Sequence, residues 1–141
     1  MHIGVPLETH AGETRVAATP ETIKKLIAHG HQVTVQSGAG VTASLPDHVY
    51  EVVGAAIGDA ATAFAADLVL KVVAPSDAEL ALMKPGAVLV GMLNPFCNET
   101  IARMAARGIT AFALEAAPRT SRAQSLDVLS SQANIAGYKA V

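Results

Sequence analysis

The sequence predicts an α/β domain built on an open, mostly parallel, doubly wound sheet. Short apolar segments alternate with amphipathic segments along the chain, as strands and helices do in parallel α/β folds. Hydrophobic residues make up 51% of the chain but aromatic residues only 4%, which suits a core of closely packed Ala, Val, Leu and Ile. The length of 141 residues is enough for one domain with its own core. The expected architecture is a three-layer domain of the flavodoxin-like or Rossmann-like type.

Apolar segments of β-branched or continuously hydrophobic composition mark the predicted strands. They are residues 2–6, 32–36, 55–57, 67–73, 87–91 and 109–114, of which 55–57 is a minor strand. Parallel strands end at a common edge of the sheet, where ligands of α/β proteins usually bind. The loops that follow residues 6, 73, 91 and 114 are therefore expected to open on the same side of the domain.

Capping residues mark the predicted helices, which cover residues 20–29, 46–53, 60–66, 77–83, 99–107 and 128–141. Thr19 is the expected N-cap of the first helix, and Gly30 ends it. Ser76 and Glu79 have the spacing of a capping box, and Asn98 is the expected N-cap of the fifth helix. The residues predicted to face the core are Val49, Val52 and Val53 in the second helix, and Ile101, Met104 and Ala105 in the fifth.

A glycine-rich segment follows the second strand and matches a dinucleotide-binding pattern. Gly38, Gly40 and Ala43 have the G-x-G-x-x-A spacing, but that fingerprint requires a helix to begin there and hold a pyrophosphate at its N-terminus. Pro46 interrupts any such helix. The segment is therefore predicted to be a glycine turn.

Composition and charge exclude several classes of function. Ten Lys and Arg residues against twelve Asp and Glu residues leave no basic field for nucleic acid or an anionic membrane. No apolar run reaches the length of a membrane span, and the N-terminus lacks the features of a signal peptide. Cys97 is the single cysteine, which rules out an internal disulfide and favours a reducing compartment. No histidine pair has metal-ligand spacing, so no metal site is expected.

Lys71 is the one charged residue in the most apolar predicted strand. An unpaired ammonium is costly to bury, so Lys71 is expected either to reach solvent at the strand end or to meet an anion. The polar residues of the strand-end loops are expected to converge with it: Glu13, Arg15, Asn94, Arg119, Arg122, Gln124 and Asp127. Arginine and lysine suit a carboxylate or phosphate, and Gln with Asp suits an amide. This is a recognition set without a catalytic triad or a phosphate loop.

The most polar part of the chain is residues 118–127, between the last predicted strand and the final helix. Its position at a strand end favours ligand binding. A solvated loop that caps the following helix is an equally weighted interpretation from composition alone.

Several motifs make the chain resemble the N-terminal part of the α subunit of proton-translocating NAD(P) transhydrogenase, in the alanine dehydrogenase/transhydrogenase N-terminal family. They are Gly4-Val5-Pro6-x-Glu8, residues 13–20, residues 51–54, Leu70-Lys71-Val72 and, above all, the run from Pro118 to Tyr138. The resemblance covers essentially the whole chain. Alanine dehydrogenase shares its first half, whereas the loop with Arg119, Gln124 and Asp127 is characteristic of the transhydrogenase.

The resemblance implies a role in orienting a nicotinamide ring. Arg119, Gln124 and Asp127 would lie over the ring as the catalytic, cofactor-contacting residues, and Ser130 would add a contact to the cofactor. NAD(H) would bind mainly through a second, Rossmann domain that this sequence lacks, and NADP(H) would be held by the β subunit. Hydride would pass directly between the two rings, so orientation and exclusion of water would be the task of the protein.

The same resemblance implies how the chain is organised and where it works. Residues 1–127 would form the N-terminal domain, and residues 128–141 would begin an interdomain helix. The partners would be the remaining α-subunit domains and the β subunit, with a homodimer in the complete protein and no nucleic acid. Location would be cytoplasmic, peripheral to the inner membrane, with membrane contact only through other subunits. The chain alone is predicted to be an inactive part that binds NAD(H) weakly and self-associates through exposed apolar surface.

Two alternatives remain open at this point. One is alanine dehydrogenase, which the chain resembles through Arg15 and Lys71; in that family these residues hold the pyruvate carboxylate. That family also has a histidine as the acid-base group in the loop where this sequence has Asn94. An asparagine there cannot exchange a proton near neutral pH, which argues against oxidative deamination and leaves Arg15 and Lys71 to a structural ion pair with Glu8 or Glu13. The other alternative is a flavodoxin-like binding module without catalysis.

Overall fold

The computed structural model describes residues 1–117, 120–121 and 127–140. The strands are β1 (His2–Val5), β2 (Gln32–Gln36), β3 (Ala56–Gly58), β4 (Leu68–Val73), β5 (Val88–Met92) and β6 (Thr110–Ala113). The helices are α1 (Pro20–Ala28), α2 (Asp47–Val52), α3 (Ala60–Phe64), α4 (Asp77–Leu82), α5 (Asn98–Ala106) and α6 (Val128–Ala140). Short 3-10 turns lie at Val41–Ala43 and Leu114–Ala116.

The strands form a single six-stranded sheet in the order β3-β2-β1-β4-β5-β6. Every neighbouring pair is parallel, so the predicted α/β fold is confirmed, and the order is that of the Rossmann type rather than of flavodoxin. The minor strand predicted at residues 55–57 is the edge strand β3. The chain first builds outward from β1 to β3 and then returns to place β4 beside β1, so the topological switch point lies between β1 and β4.

Two apolar clusters cover the two faces of the sheet, as expected for a doubly wound fold. One packs around Ile3, Val35 and Tyr50 under α1 and α2. The other packs around Phe64, Leu89 and Met104 under α3, α4 and α5. Leu70 in β4 packs against the first cluster and Val69 belongs to the second, which is the alternation that places neighbouring strand residues on opposite faces.

Most of the predicted helix caps are confirmed. The Thr19 side chain accepts a hydrogen bond from the Thr22 N–H, and Ser76 and Glu79 form a complete capping box. The prediction for Asn98 is wrong. The chain is still extended at Cys97, and α5 begins with Asn98 itself, so Asn98 is already helical and cannot adopt the extended backbone of an N-cap.

Three of the predicted inward-facing residues are instead exposed. Val52 is 84% exposed because Tyr50 takes the core position of the short helix α2 and donates a hydrogen bond to the Ala18 carbonyl at 3.1 Å. In α5 the buried residues are Thr100 and Met104. Ile101 and Ala105 are exposed and border an apolar groove beside β6.

The glycine segment after β2 forms a turn that is hydrogen-bonded to a carboxylate of the chain. Asp47 accepts hydrogen bonds from the Ser37 hydroxyl at 2.7 Å and from the Gly38 N–H at 2.8 Å, and these bonds lower the pKa of Asp47. A 3-10 turn follows Gly40, and Ser44 then adopts a left-handed conformation with φ of 62°. The helix start that a dinucleotide fingerprint needs is therefore not formed at this turn, in agreement with the prediction.

Candidate functional site

A cavity of about 170 Å³ lies at the carboxyl edge of the sheet, where the loop after β1 meets the start of α6. The side chains that define it come from five parts of the chain: Arg15, Lys71, Met92, Leu114, Val128 and Gln132. The ends of all four strands predicted to converge therefore do so, because β1, β4, β5 and β6 or the loops after them each contribute a residue to this cavity. Among the described residues, no group of three His, Cys, Asp or Glu side chains is placed to hold a metal ion.

Lys71 is buried and paired with two carboxylates. Its Nζ lies 2.9 Å from Glu79 Oε1 and 3.4 Å from Glu8 Oε2, and all three residues are at most 8% exposed. The anion that the sequence requires for Lys71 is thus supplied from within the chain. The ion pair with Glu8 is one of those predicted, whereas the pair with Glu79 is not.

Both carboxylates of this buried cluster have additional hydrogen-bond donors. Glu8 accepts from the Val72 and Val73 N–H groups at 2.6 and 3.3 Å, beyond the last residue of β4 that pairs with β1. Glu79 accepts from the Ser76 N–H at 2.7 Å and from the Thr9 hydroxyl at 3.0 Å. Burial raises the pKa of Glu79, but the hydrogen bonds from Lys71 and Ser76 outweigh burial and lower it. A cluster of Glu8, Lys71 and Glu79, which we call the buried triad, thus lies where β1 and β4 separate, and it borders a cavity of about 300 Å³.

Arg15 is held by a second carboxylate and reaches across to α6. Its Nε and Nη2 donate to Glu13 Oε1 and Oε2 at 2.8 and 2.7 Å, and its Nη1 donates to Gln132 Oε1 at 3.0 Å. The hydrogen bond from Arg15 lowers the pKa of Glu13 from 4.5 to about 2, and the same bond raises the pKa of Arg15. The predicted alternative of a structural ion pair between these two loop residues is confirmed.

Asp127 and Ser130 lie together at the start of α6. The Asp127 carboxylate accepts from the Ser130 N–H at 3.1 Å and from the Ser130 hydroxyl at 2.7 Å, and the Asp127 carbonyl accepts from the Ser131 N–H. This is the capping arrangement of the solvated-loop interpretation. Arg119, Arg122 and Gln124, the other predicted residues of this loop, lie outside the described residues.

Asn94 follows β5 at the same edge of the sheet. Its backbone has a positive φ of 49°, which asparagine tolerates better than most residues. The Glu115 carboxylate accepts from the Asn94 N–H at 2.6 Å and from the Leu93 N–H at 3.2 Å. The loop after β5 is therefore tied to the turn after β6, and its amide side chain offers no group that titrates near neutral pH.

Sequence reasoning missed two residues of the site, Glu79 as a charge partner and Gln132 as a contact of Arg15. A signal for Glu79 was present: it lies in the first turn of the helix after β4, and a short βα connection brings that turn to the end of the strand. No sequence signal predicted the contact of Gln132 with Arg15, because the two residues are 117 positions apart.

Comparison with known proteins places these features in a family. The family model "Alanine dehydrogenase/PNT, N-terminal domain" matches residues 4–136. The NAD(P) transhydrogenase subunit alpha of Haemophilus influenzae is 46% identical over all of this chain and 28% of its own length. The crystal structure of transhydrogenase from Sinorhizobium meliloti is 46% identical and superposes with a TM-score of 0.94, over 98% of this chain and 42% of that one.

A solved L-alanine dehydrogenase is also similar, but less so. It is 33% identical with a TM-score of 0.78, over 82% of this chain and 32% of its own. The chain thus spans less than half the length of each of these three proteins. Within the described residues, no helix is long and apolar enough to cross a membrane. The family model matches most of the chain, and the similarity to the transhydrogenase α subunit covers the full length of this chain. The chain therefore belongs to the alanine dehydrogenase/PNT N-terminal domain family, alongside the transhydrogenase α subunits.

Proposed function

We propose that this chain is the N-terminal part of the NAD(H)-binding component of a proton-translocating NAD(P) transhydrogenase, where it orients the nicotinamide for direct hydride transfer between NADH and NADP. The observation that carries the proposal is the charge balance of the site. Arg15 is paired with Glu13, and Lys71 is paired with Glu8 and Glu79. Direct hydride transfer requires orientation and a dry site rather than an acid, a base or an anchoring cation.

The loop before α6 is the proposed orienting element. Arg119, Gln124 and Asp127 would contact the nicotinamide end of the cofactor, with Ser130 as an additional contact. A glutamine amide both donates and accepts, which matches the carboxamide of the ring. Val128, the residue after Asp127, lines the cavity at the carboxyl edge, which is consistent with a loop that works at this edge.

The cofactors and partners of the proposal lie largely outside this chain. NAD(H) would be held mainly by a second domain of the same α subunit and NADP(H) by a β subunit, with membrane contact only through other subunits and with a homodimer of the complete protein. Residues 1–127 would form the first domain, and residues 128–141 would begin the helix that leads out of it. The buried triad supports a dinucleotide held mainly elsewhere, because it places charged side chains that already pair with one another at the switch point, where a Rossmann-type sheet binds its dinucleotide.

The chain alone would accordingly bind NADH weakly and catalyse no hydride transfer. Calorimetric titration of the isolated chain with NADH checks this, and dissociation in the micromolar range would contradict it.

The second candidate is the substrate domain of an alanine dehydrogenase. It is favoured by the family match and by the fact that Arg15 and Lys71 line one cavity. Two observations weigh against it. Both cations are already neutralised by carboxylates, so a substrate carboxylate would meet no excess of positive charge. Asn94 also supplies no titratable group for the proton transfer that deamination needs.

Exchange of Gln124 for asparagine in the complete transhydrogenase tests the proposed orienting role. Shortening the side chain by one methylene moves the amide away from the carboxamide without changing its chemistry. Because small displacements of positioned groups cost about tenfold to a hundredfold in rate, Gln124→Asn should slow single-turnover hydride transfer by about that factor. The dissociation constant for NADH should change far less.

Gln32→Asn is the matched control, since Gln32 is an exposed glutamine at the start of β2, on the opposite edge of the sheet. It should alter neither quantity. Equal effects of Gln124→Asn on the rate and on the NADH dissociation constant would show that Gln124 binds the cofactor without orienting it, and would refute the proposed role.

A further inference from the structure

The loop after β1 forms a fixed platform at the carboxyl edge of the sheet. The Leu7 N–H donates to Gln36 Oε1 at 2.9 Å, and the Thr42 hydroxyl donates to the Thr14 carbonyl at 3.1 Å. Glu8 joins the same loop to β4 through the buried triad. The loop is thus attached to β2, to the glycine turn and to β4, although it has no regular secondary structure of its own.

Glu13, in the same loop, fixes the orientation of the Arg15 guanidinium. Glu13 accepts from Nε and Nη2 and also from the Arg15 N–H at 2.9 Å. Bidentate pairing fixes the plane of a guanidinium as well as its position. Nη1 is left pointing at Gln132, to which it donates at 3.0 Å.

Within the part of the chain that the structure describes, helix α6 packs lightly against the rest of the domain. All of its residues after Val128 are exposed, and its packing is against the 3-10 turn at Leu114–Ala116. Burial of apolar surface therefore contributes little to where this helix lies. A charge-assisted hydrogen bond between Arg15 and Gln132, one turn after Val128, is correspondingly important for its position.

We propose that Arg15 is a positioning residue that holds α6 against the carboxyl edge of the sheet through Gln132 and so sets the place of Asp127 and Ser130. The inference deepens the proposed function and rests on it for the catalytic consequence. Arg15 touches neither cofactor nor reacting atoms in this role. It acts through the helix at whose start the orienting loop ends.

The test uses the complete α subunit, assembled with its NADP(H)-binding partner. Arg15→Met and Gln132→Met each remove one partner of the hydrogen bond at similar side-chain length. Each should slow single-turnover hydride transfer by about tenfold, because misplacement of a positioned group costs rate, while the dissociation constant for NADH stays within about twofold. The double variant should be no slower than either single one, since both remove the same contact. Gln132→Glu keeps an acceptor for the guanidinium and should restore the rate.

Arg103→Met is the matched control. Arg103 is also a carboxylate-paired arginine of similar exposure, with side chains 38% exposed for Arg103 and 43% for Arg15, but it pairs with Asp77 at α4. Hydrogen–deuterium exchange of peptides that cover residues 128–140 gives a second, activity-independent readout. It should rise in Arg15→Met and Gln132→Met alike, no further in the double variant, and not at all in Arg103→Met.

The outcomes separate the two proposals. Additive losses of rate, loss of NADH affinity in proportion to rate, or unchanged exchange in α6 would each overturn the positioning role of Arg15. If the wild-type assembly transfers no hydride between NADH and NADP, the proposed function fails. The positioning role is then judged on exchange alone, which upholds it if both single variants loosen α6 equally and overturns it if neither does.

Discussion

Lys71 is a buried cation whose surroundings decide what chemistry the site can perform. Its ammonium faces Glu8 and Glu79 and also lies 5.7 Å from the centre of the Phe64 ring. Each carboxylate accepts from backbone N–H groups as well. A buried charge network is tolerated when its members are paired and hydrogen-bonded, and each member of this one has a charge partner and a hydrogen bond within the chain.

Removal of the charge of Lys71 should therefore destabilise the fold. Lys71→Met leaves Glu8 and Glu79 buried side by side without a counter-charge, and breaking a buried ion pair in this way costs about 3–5 kcal/mol of unfolding free energy. Urea denaturation measures the loss. Lys25→Met, which removes the exposed pair with Glu21 on α1, is the control and should have little effect. Equal stability of the two variants would contradict the assigned role of the triad.

The ion pair of Glu13 predicts a pH dependence of stability. The pKa of Glu13 is about 2 in the folded chain against 4.5 for the unperturbed carboxyl, so its contribution is present above 4.5 and lost as the pH falls towards 2. The difference in unfolding free energy between the wild type and Glu13→Gln should therefore be constant at neutral pH and shrink through that window. A difference that does not change with pH would show that Glu13 is not held by Arg15 in solution.

For single residues, the sequence predicts that Lys71 needs a counter-charge or solvent, but it does not predict which residues supply the counter-charge. A lysine within an apolar strand must find an anion or solvent, and that much follows from desolvation alone. Which of the twelve acidic residues pairs with Lys71 depends on how β1, β4 and α4 pack together. Glu79 was predicted only as a capping residue, yet its two oxygens serve the cap and Lys71 separately.

The packing of α3 on β1 shows a constraint between elements. A Cβ at Gly4 would lie 1.8 Å from the carbonyl oxygen of Ala63, a distance that no side chain can accept. The absence of a side chain at Gly4 thus allows α3 to approach the strand closely. This contact lies near the middle of the sheet, because β1 pairs with both β2 and β4.

Gly4→Ala should accordingly be strongly destabilising. Relief of the overlap requires α3 to move away from β1, and overpacking of this kind costs about 3 kcal/mol or more. Gly137→Ala in α6 is the matched control: its new Cβ would meet nothing within 4 Å, and alanine favours helix formation, so stability should be unchanged or slightly higher. Similar thermal unfolding of the two variants would show that α3 does not pack on Gly4 as described.

Elements with strong local signals could be predicted, and those without them could not. Thr19, Gly30 and the Ser76–Glu79 box act through contacts within a few residues, so their roles follow from sequence. The inward faces of α2 and α5 did not follow. Because α2 has only six residues, its hydrophobic periodicity is too short to define a buried face. Tyr50 is buried in place of Val52, and its hydroxyl donates a hydrogen bond to the Ala18 carbonyl.

At the scale of the whole molecule, the sheet has the strand order of a dinucleotide-binding fold, but side chains of the chain form ion pairs with one another at its switch point. The buried triad lies where β1 and β4 diverge, and Asp47 accepts hydrogen bonds from the Ser37 hydroxyl and the Gly38 N–H of the glycine turn after β2. One cavity at the carboxyl edge lies where the loop after β1 meets α6, and another borders the buried triad. This arrangement is what the proposed function requires, namely a domain that helps to orient a cofactor held elsewhere.

The fold class followed from the alternation of strands and helices, whereas the strand order did not. Nothing local distinguishes the Rossmann order from the flavodoxin order, since both alternate in the same way and differ only in which strand lies beside β1. The candidate site also has a part that could be predicted and a part that could not. The convergence of Arg15 and Lys71 could be predicted from parallel strands, but the contact of Arg15 with Gln132 depends on the path of α6 over the sheet.

The most direct test of the central claim is a paired assay of the complete protein that contains this chain. One arm follows reduction of NADP by NADH in the assembly with the NADP(H)-binding partner, and the other follows reduction of NAD by L-alanine. A site with neutralised cations and an asparagine after β5 is predicted to support the first reaction and not the second. Sustained oxidation of L-alanine, without hydride transfer between the two nucleotides, would contradict the account.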